Sequence, residues 1–374
     1  MKKTLIVAAV SASFATAASA QSSVTLYGLI DAGFAYTNNV ANTGAGPDQQ
    51  VSKFGMTSGN LQGSRWGLRG QEDLGGGLKA VFTLENGFNI TNGTASQGGR
   101  QFGRQAYVGL SSATAGTVTL GRQYDSVVDY LGPITSNGSW GGTYFSHPFD
   151  NDNTNNSFRV NNAIKYQSVN YGGFTFGGVY GFSNDAGGFA NNRAYSAGMQ
   201  YANGPFKIAA AYLQTQGAGA AAADGTIVGA IADPVLASDS RRTRTYGVGA
   251  NYSVGALVFG GVWTQTRLDE SALFGNGSFN NFELNARYNV TPALALGGAY
   301  TYTRARFDGV NDDHRYAYHQ FGLQADYLLS KRTDIYAEGV VQTTRSGVQA
   351  QIAGTDPSSS NHQVVVSAGI RHRF

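Results

Sequence analysis

Residues 364–374 read VVVSAGIRHRF. Val364, Val366, Ala368, Ile370, His372 and Phe374 share one face of an extended chain, and Gln363, Ser367, Gly369, Arg371 and Arg373 share the other. This is the period-2 alternation of a strand with one mostly apolar and one mostly polar side. Termini fray unless an element ties them down. A strand that runs to Phe374 therefore calls for a partner strand and an apolar surround, which a ring of strands in a membrane supplies.

The bulk composition points the same way. Residues 1–20, MKKTLIVAAVSASFATAASA, carry Lys2 and Lys3, an apolar run and an Ala18-Ser19-Ala20 cleavage site, the layout of a secretory signal. The run is too short and too broken by Ser and Thr for an anchoring helix. The expected division is a signal over 1–20 and a mature chain over 21–374. Removing the signal lowers Lys+Arg from 26 to 24 against 23 Asp+Glu, a net of +1, which is no footprint of a nucleic-acid partner. Charged residues make up 13% of the chain, about half of the roughly 25% usual in soluble proteins. After the signal no run of 18 apolar residues occurs, so a membrane span must be made of strands. There is no cysteine, and stability must come from backbone pairing and packing.

Along residues 21–374, alternating segments of about ten residues are bounded in turn by short turns and long polar loops. The short turns repeat a tyrosine just before the reversal: Tyr166, Tyr201, Tyr252, Tyr288 and Tyr327. Parity puts all five on the apolar face, where a membrane interface selects aromatics whose hydroxyl stays wet. The longer loops lie near 38–60, 125–157, 217–240, 268–278 and 346–361. Short turns at one end and long loops at the other is the asymmetry of an outer-membrane barrel. Counting hairpins gives sixteen strands, an even number wide enough for an aqueous lumen. The last strand is expected to close on the first, VTLYGLIDAGFAY at 24–36, leaving no edge unpaired. A soluble sandwich or propeller would need turns of similar length at both ends and no tyrosine register.

SRWGLRGQEDLGGGLKAVFTLE (64–85), RQAYVGLSS (104–112), GTVTLGRQYD (116–125), RVNNAIKY (159–166) and the Phe-ended last strand resemble the general diffusion porins of Gram-negative outer membranes, above all the betaproteobacterial trimeric porins. The resemblance covers the mature chain. It implies an all-β fold, a 16-stranded antiparallel transmembrane β-barrel with a long third loop, about Asp125 to Ser157, folded into the pore. It also implies a homotrimer seated in outer-membrane lipid and lipopolysaccharide, with small hydrophilic solutes and inorganic ions as its cargo and no cofactor. On the family's pattern the constriction draws on Arg65, Arg104 and Arg159 on the wall and on Glu85. Lys165 is inward by parity and extends the basic strip, and Asp125 and Asp129 lie on the loop. The three arginines fall inward by parity too, with Trp66, Tyr107 and Phe158 expected outward. Phe374 serves barrel closure and assembly. In a narrow wet passage with low-dielectric walls, guanidiniums that stay charged concentrate small anions, so passive diffusion with a moderate anion preference is expected.

An enzymatic barrel needs a nucleophile beside an oriented base, but the five histidines, His147, His314, His319, His362 and His372, fall in no triad context and read as inert surface residues. No G-x-S-x-G, H-E-x-x-H or P-loop occurs. DNDNTNNS at 150–157 begins like a calcium loop, yet Thr154, Asn155 and Asn161 stand where the motif wants an acid or amide, a Gly and the closing Glu, so the EF-hand reading fails and only an isolated loop cation stays open there. An isolated cation near Asp308, Asp312 and Asp313 stays open, as does a receptor role for the 217–240 loop, although an Ala- and Gly-rich loop lacks strong binding anchors.

Overall fold

The computed structural model describes residues 23–41, 50–184, 186–216, 240–271, 275–308, 313–345 and 347–374. Residues 1–22, which include the expected signal, the Ala-rich residues 217–239 weighed for a receptor role, and residues 309–312, which include Asp312, lie outside the described residues. Among the described residues seventeen strands follow in order. The first six are β1 Ser23–Ala41, β2 Gln50–Ser58, β3 Arg65–Gly75, β4 Leu78–Gly87, β5 Gln105–Ser112 and β6 Gly116–Gln123. After a long interval come β7 Val160–Gln167, β8 Phe174–Gly181, β9 Ala194–Asn203, β10 Phe206–Gln216 and β11 Ser240–Val254. The last six are β12 Leu257–Ser271, β13 Gly275–Asn289, β14 Leu294–Asp308, β15 Asp313–Leu328, β16 Thr333–Arg345 and β17 His362–Arg373.

These strands form one antiparallel sheet that closes on itself. β1 pairs along one edge with β17, from Leu29 opposite Arg373 to Thr37 opposite Val365. Along its other edge the first half of β1, Ser23–Leu29, pairs with β3, and the second half, Ala32–Ala41, pairs with β2. β2 and β3 therefore share one position, and the seventeen strands make a ring of sixteen. Closure removes both edges, the condition for a sheet in lipid, where an unpaired N–H or C=O has no water to turn to. The 38–60 stretch, expected as loop, holds the end of β1 and all of β2. The alternation is hidden there because a bulge intervenes between Thr37 and Val40 and Asn39 takes φ 51.

Side chains alternate as the pleat requires. On β13, Phe279, Asn281 and Glu283 are buried while Phe282 and Leu284 are 48% and 68% exposed. An apolar exposed face beside a polar buried one is the reverse of a soluble protein and the sign of a barrel whose outside meets lipid. Tyr201, Tyr252, Tyr288 and Tyr327 are exposed on that outer face, and Tyr166 packs beside Phe176. Among the described residues, no helix is long and apolar enough to cross a membrane.

Candidate functional site

Between β6 and β7, residues 124–159 form short helical turns, Val127–Leu131, Gly132–Ile134, Asn137–Gly141, Thr143–Phe145 and Pro148–Asp150, which pack against buried residues of the strands. One apolar cluster joins Val127, Tyr130, Leu131, Ile134 and Phe158 to wall residues including Val179, Ala209 and Val262. A second joins Trp140, Tyr144 and Phe145 to Ala35, Val340 and Val365. Three wall glycines serve as seats. A Cβ on Gly198 would meet Tyr130 at 2.3 Å, one on Gly297 would meet Trp140 at 2.5 Å, and one on Gly322 would meet Phe145 at 2.4 Å.

Polar anchors alternate with these seats. Gln324 donates to the carbonyl of Trp140 at 2.8 Å, and Gln320 to those of Tyr144 and Ser146 at 3.2 and 3.0 Å. The deepest anchor is His147, which is fully buried. Its Nδ1 lies 2.6 Å from Asp152 Oδ2 and its Nε2 lies 3.2 Å from Glu283 Oε2. Thr264 donates to the same Asp152 oxygen at 2.5 Å, and Ser136 N donates to Glu283 Oε1 at 2.7 Å. Burial alone would lower the imidazole pKa, but the two carboxylates overrule it and push it up to about 10. His147 is thus no inert surface residue. Sequence reading missed it because its second carboxylate comes from a strand 136 residues away.

The segment also meets the break between β2 and β3. Thr143 N donates to Asn60 O at 2.8 Å, and Gly142 sits at φ +67 with its missing Cβ only 2.3 Å from that same oxygen. Only a glycine fits there, both by backbone region and by space. Asp31 braces the break from β1, accepting from Gln62 N and from Tyr336 OH, each at 2.7 Å.

Just below the break, Arg65, Arg104 and Arg159 come together around Tyr124. Arg104 Nε donates to Glu85 Oε1 at 2.7 Å and its Nη2 to Tyr124 OH at 3.0 Å. Tyr124 and Tyr27 both donate to Glu85, each at 3.0 Å. Arg65 Nε donates to Gly63 O at 2.8 Å. The Arg159 guanidinium lies 5.7 Å from the centre of the Tyr124 ring, within cation–π range. Across the remaining space the segment presents Val128, Pro133, Asn137, Thr154, Asn155 and Asn156.

The other expected residues fall elsewhere. Asp125 is fully buried, accepting from Val127 N and from Asn153 Nδ2, both at 2.7 Å, and burial pushes its carboxyl up to about 6. Asp129 pairs with Lys165, which also donates to Tyr124 O at 3.1 Å. Asp150 accepts from the backbone of Asn155 and Ser157 at 2.9 and 3.1 Å. Burial, reinforced by Asp152, holds its pKa up at about 7.

Two expected orientations are corrected. Tyr107 faces inward, accepting from Thr83 at 3.0 Å, and Phe158 lies in the inner apolar cluster. Parity holds only inside a ladder. Arg104 precedes β5, whose first pair is Gln105 with Glu85, and Phe158 and Arg159 both precede β7.

Comparison with known proteins places this geometry. The Gram-negative porin family matches residues 5–347. An outer membrane porin protein of Bordetella pertussis is 36% identical, with the whole of both chains covered. Among solved structures, an anion-selective porin from Comamonas acidovorans superposes with a TM-score of 0.73 at 28% identity, covering 95% of this chain and 100% of its own. The trimer form of OmpT of Vibrio cholerae shares the fold, with a TM-score of 0.66 at 15% identity over 94% of this chain and 99% of its own.

Proposed function

We propose that this chain, which belongs to the Gram-negative porin family, prefers small anions among the ions and hydrophilic solutes that it lets diffuse through the outer membrane. It is a channel and not an enzyme. The observation that carries the preference is a charge imbalance. Three guanidiniums, those of Arg65, Arg104 and Arg159, border the space beside the inner segment, and Glu85 is the carboxylate bonded among them. The segment's own carboxylates are committed away from that space, Asp125 and Asp150 to backbone and amide donors, Asp129 to Lys165, and Asp152 to His147. The segment then acts as the constriction, setting a neutral polar rim opposite a basic wall.

Such a wall raises the local concentration of anions without binding them for long, since a multi-site, hydrated path lets them leave. Arginine suits the task because it stays charged when partly desolvated. Charges separated by more than a Debye length, about 8 Å at physiological salt, are screened, so the preference weakens with ionic strength. The mature chain is read as starting at Gln21, with homotrimers of barrels in lipid and lipopolysaccharide as the working assembly.

The test is the reversal potential of the purified protein in a planar bilayer under a salt gradient. A potential favouring chloride is expected, and it should move towards zero when Arg65, Arg104 and Arg159 are all changed to Gln. A triple variant with unchanged selectivity would overturn the assignment of these residues.

A further inference from the structure

On the outer face of β11 to β15 one cross-strand row pairs Arg244 with Arg267, Arg267 with Ser278, Ser278 with Arg306, and Arg306 with Arg315. Four of its five positions are arginine. The next row towards the membrane adds Arg304 and Arg345. The row below that holds Trp263, Phe282 and Tyr302, and exposed Leu284 and Phe321 follow. Basic, then mixed, then aromatic, then apolar is the order of layers met on descending from a membrane surface. The arginine row stands four residues above Phe282, about 13 Å along a strand, at the end that carries the long loops.

Like charges directly opposite across a ladder are destabilising, so this row costs the barrel stability unless anions answer it. The protein supplies some. Asp269 Oδ2 lies 2.6 Å from Arg242 and 2.8 Å from Arg244, and Asp308 lies 3.2 Å from Arg306. Arg304, Arg315 and Arg345 have no carboxylate partner among the described residues. All three are exposed, on the outside of the barrel, away from the constriction.

We infer that this arginine row is a docking site for the phosphate groups of lipid headgroups in the outer leaflet. Guanidinium forks match phosphate oxygens two at a time, and strands about 4.8 Å apart let arginines on neighbouring strands share one phosphate. The membrane commits the occupant: the row faces outward just above an apolar band, where headgroups and not solutes of the lumen lie. The inference rests on the reading of the chain as an outer-membrane porin, because only an embedded barrel presents this row to headgroups.

The test uses the full mature chain, folded in detergent and titrated with diphosphoryl lipid A or with the same lipid stripped of phosphate, with bound lipid counted by native mass spectrometry. Wild type should prefer the phosphorylated form. Changing Arg267, Arg306 and Arg315 to Gln should weaken that binding on the order of a hundredfold, at about 1 kcal/mol per surface arginine. Equal binding of the two lipids, unchanged affinity in the variant, or displacement by inorganic phosphate at the lipid's own concentration would each overturn the inference. Should the triple variant not assemble, Arg315→Gln alone is expected to lose about fivefold, and no loss there overturns the inference as well. Bilayer conductance of the same variants should be unchanged. A wild type that conducts but ignores lipid phosphate sinks only the docking site, whereas a folded wild type that does not conduct sinks the porin reading.

Discussion

At His147 one side chain decides how the inner segment is held. Its two carboxylate partners come from the segment itself and from β13, with Thr264 of β12 and Asn281 of β13 completing the surround. Removing the imidazole by His147→Ala leaves Asp152 and Glu283 buried and unpaired, which costs about 3–5 kcal/mol. A lowered thermal midpoint and faster proteolysis within 125–157 are expected. The pH dependence follows from the directions of the shifts. The imidazole pKa stands above its unfolded value of about 6.5, at about 10, so its contribution is complete below the lower value and fades as pH rises towards the upper one. Asp150, protonated in the fold up to about 7, loses its contribution between about pH 4 and that value. Asp152 runs the other way, since His147 outweighs its burial and holds its pKa down, and its contribution is lost only in acid. Cleavage of the segment by a non-specific protease should therefore accelerate from pH 7 to pH 10. The same acceleration in His147→Gln would show that another group titrates.

Scaled up to elements, the segment is located by shape as much as by charge. Its aromatics sit where wall glycines leave no side chain, and the Phe145 ring, itself fully buried, has nowhere to retreat. Gly322→Val should push that ring off its seat at an overpacking cost of about 1–3 kcal/mol, changing single-channel conductance or its noise while far-UV circular dichroism stays that of the barrel. Gly339→Ala on the outer face of β16, where the nearest atom to a new Cβ is at 3.9 Å, is the silent control. An identical current trace from both variants would remove the seat from the account. The strands themselves were legible, because alternation and the tyrosine before each short turn depend only on near neighbours. The seats were not, since nothing local to Gly322 names Phe145 as its occupant. Parity held for Arg65 and Glu85, which lie within β3 and β4, but carried Tyr107 and Phe158 to the wrong side from residues that precede β5 and β7. The register shift between Gly121 and Gln123, opposite Ala163 and Val160, where Gly121 takes φ +134 and Asn162 φ 51, breaks the count again.

Over the whole molecule, one strand carries the closure. β1 is bonded to β17 on one side and to β3 and β2 on the other, so the first barrel strand cannot be completed until the last has been made. Joining residues near 29–37 to residues near 365–373 closes a loop of the entire chain. That loop's entropy cost grows only slowly with length, but no closure contact repays it until all the intervening strands are in place. The seam is tightest at Gly28. Its N–H donates to Phe374 O at 3.1 Å, its carbonyl accepts from Phe374 N at 3.0 Å, and a Cβ there would meet the Phe374 ring at 2.5 Å and Arg65 O at 2.6 Å. Gly28→Val thus wedges β1, β3 and β17 apart at once. In lipid each ladder bond opened leaves groups that water cannot satisfy, at a cost of several kcal/mol. Unboiled samples of the variant should therefore run on a gel as the boiled ones do, with its unfolding midpoint in denaturant lowered. Phe374→Ala added to Gly28→Val should recover only part of the loss, because the clash with the Arg65 carbonyl remains. Full recovery would locate the strain in the ring alone, and a Gly28→Val barrel as resistant as wild type would mean that closure is governed elsewhere along the seam.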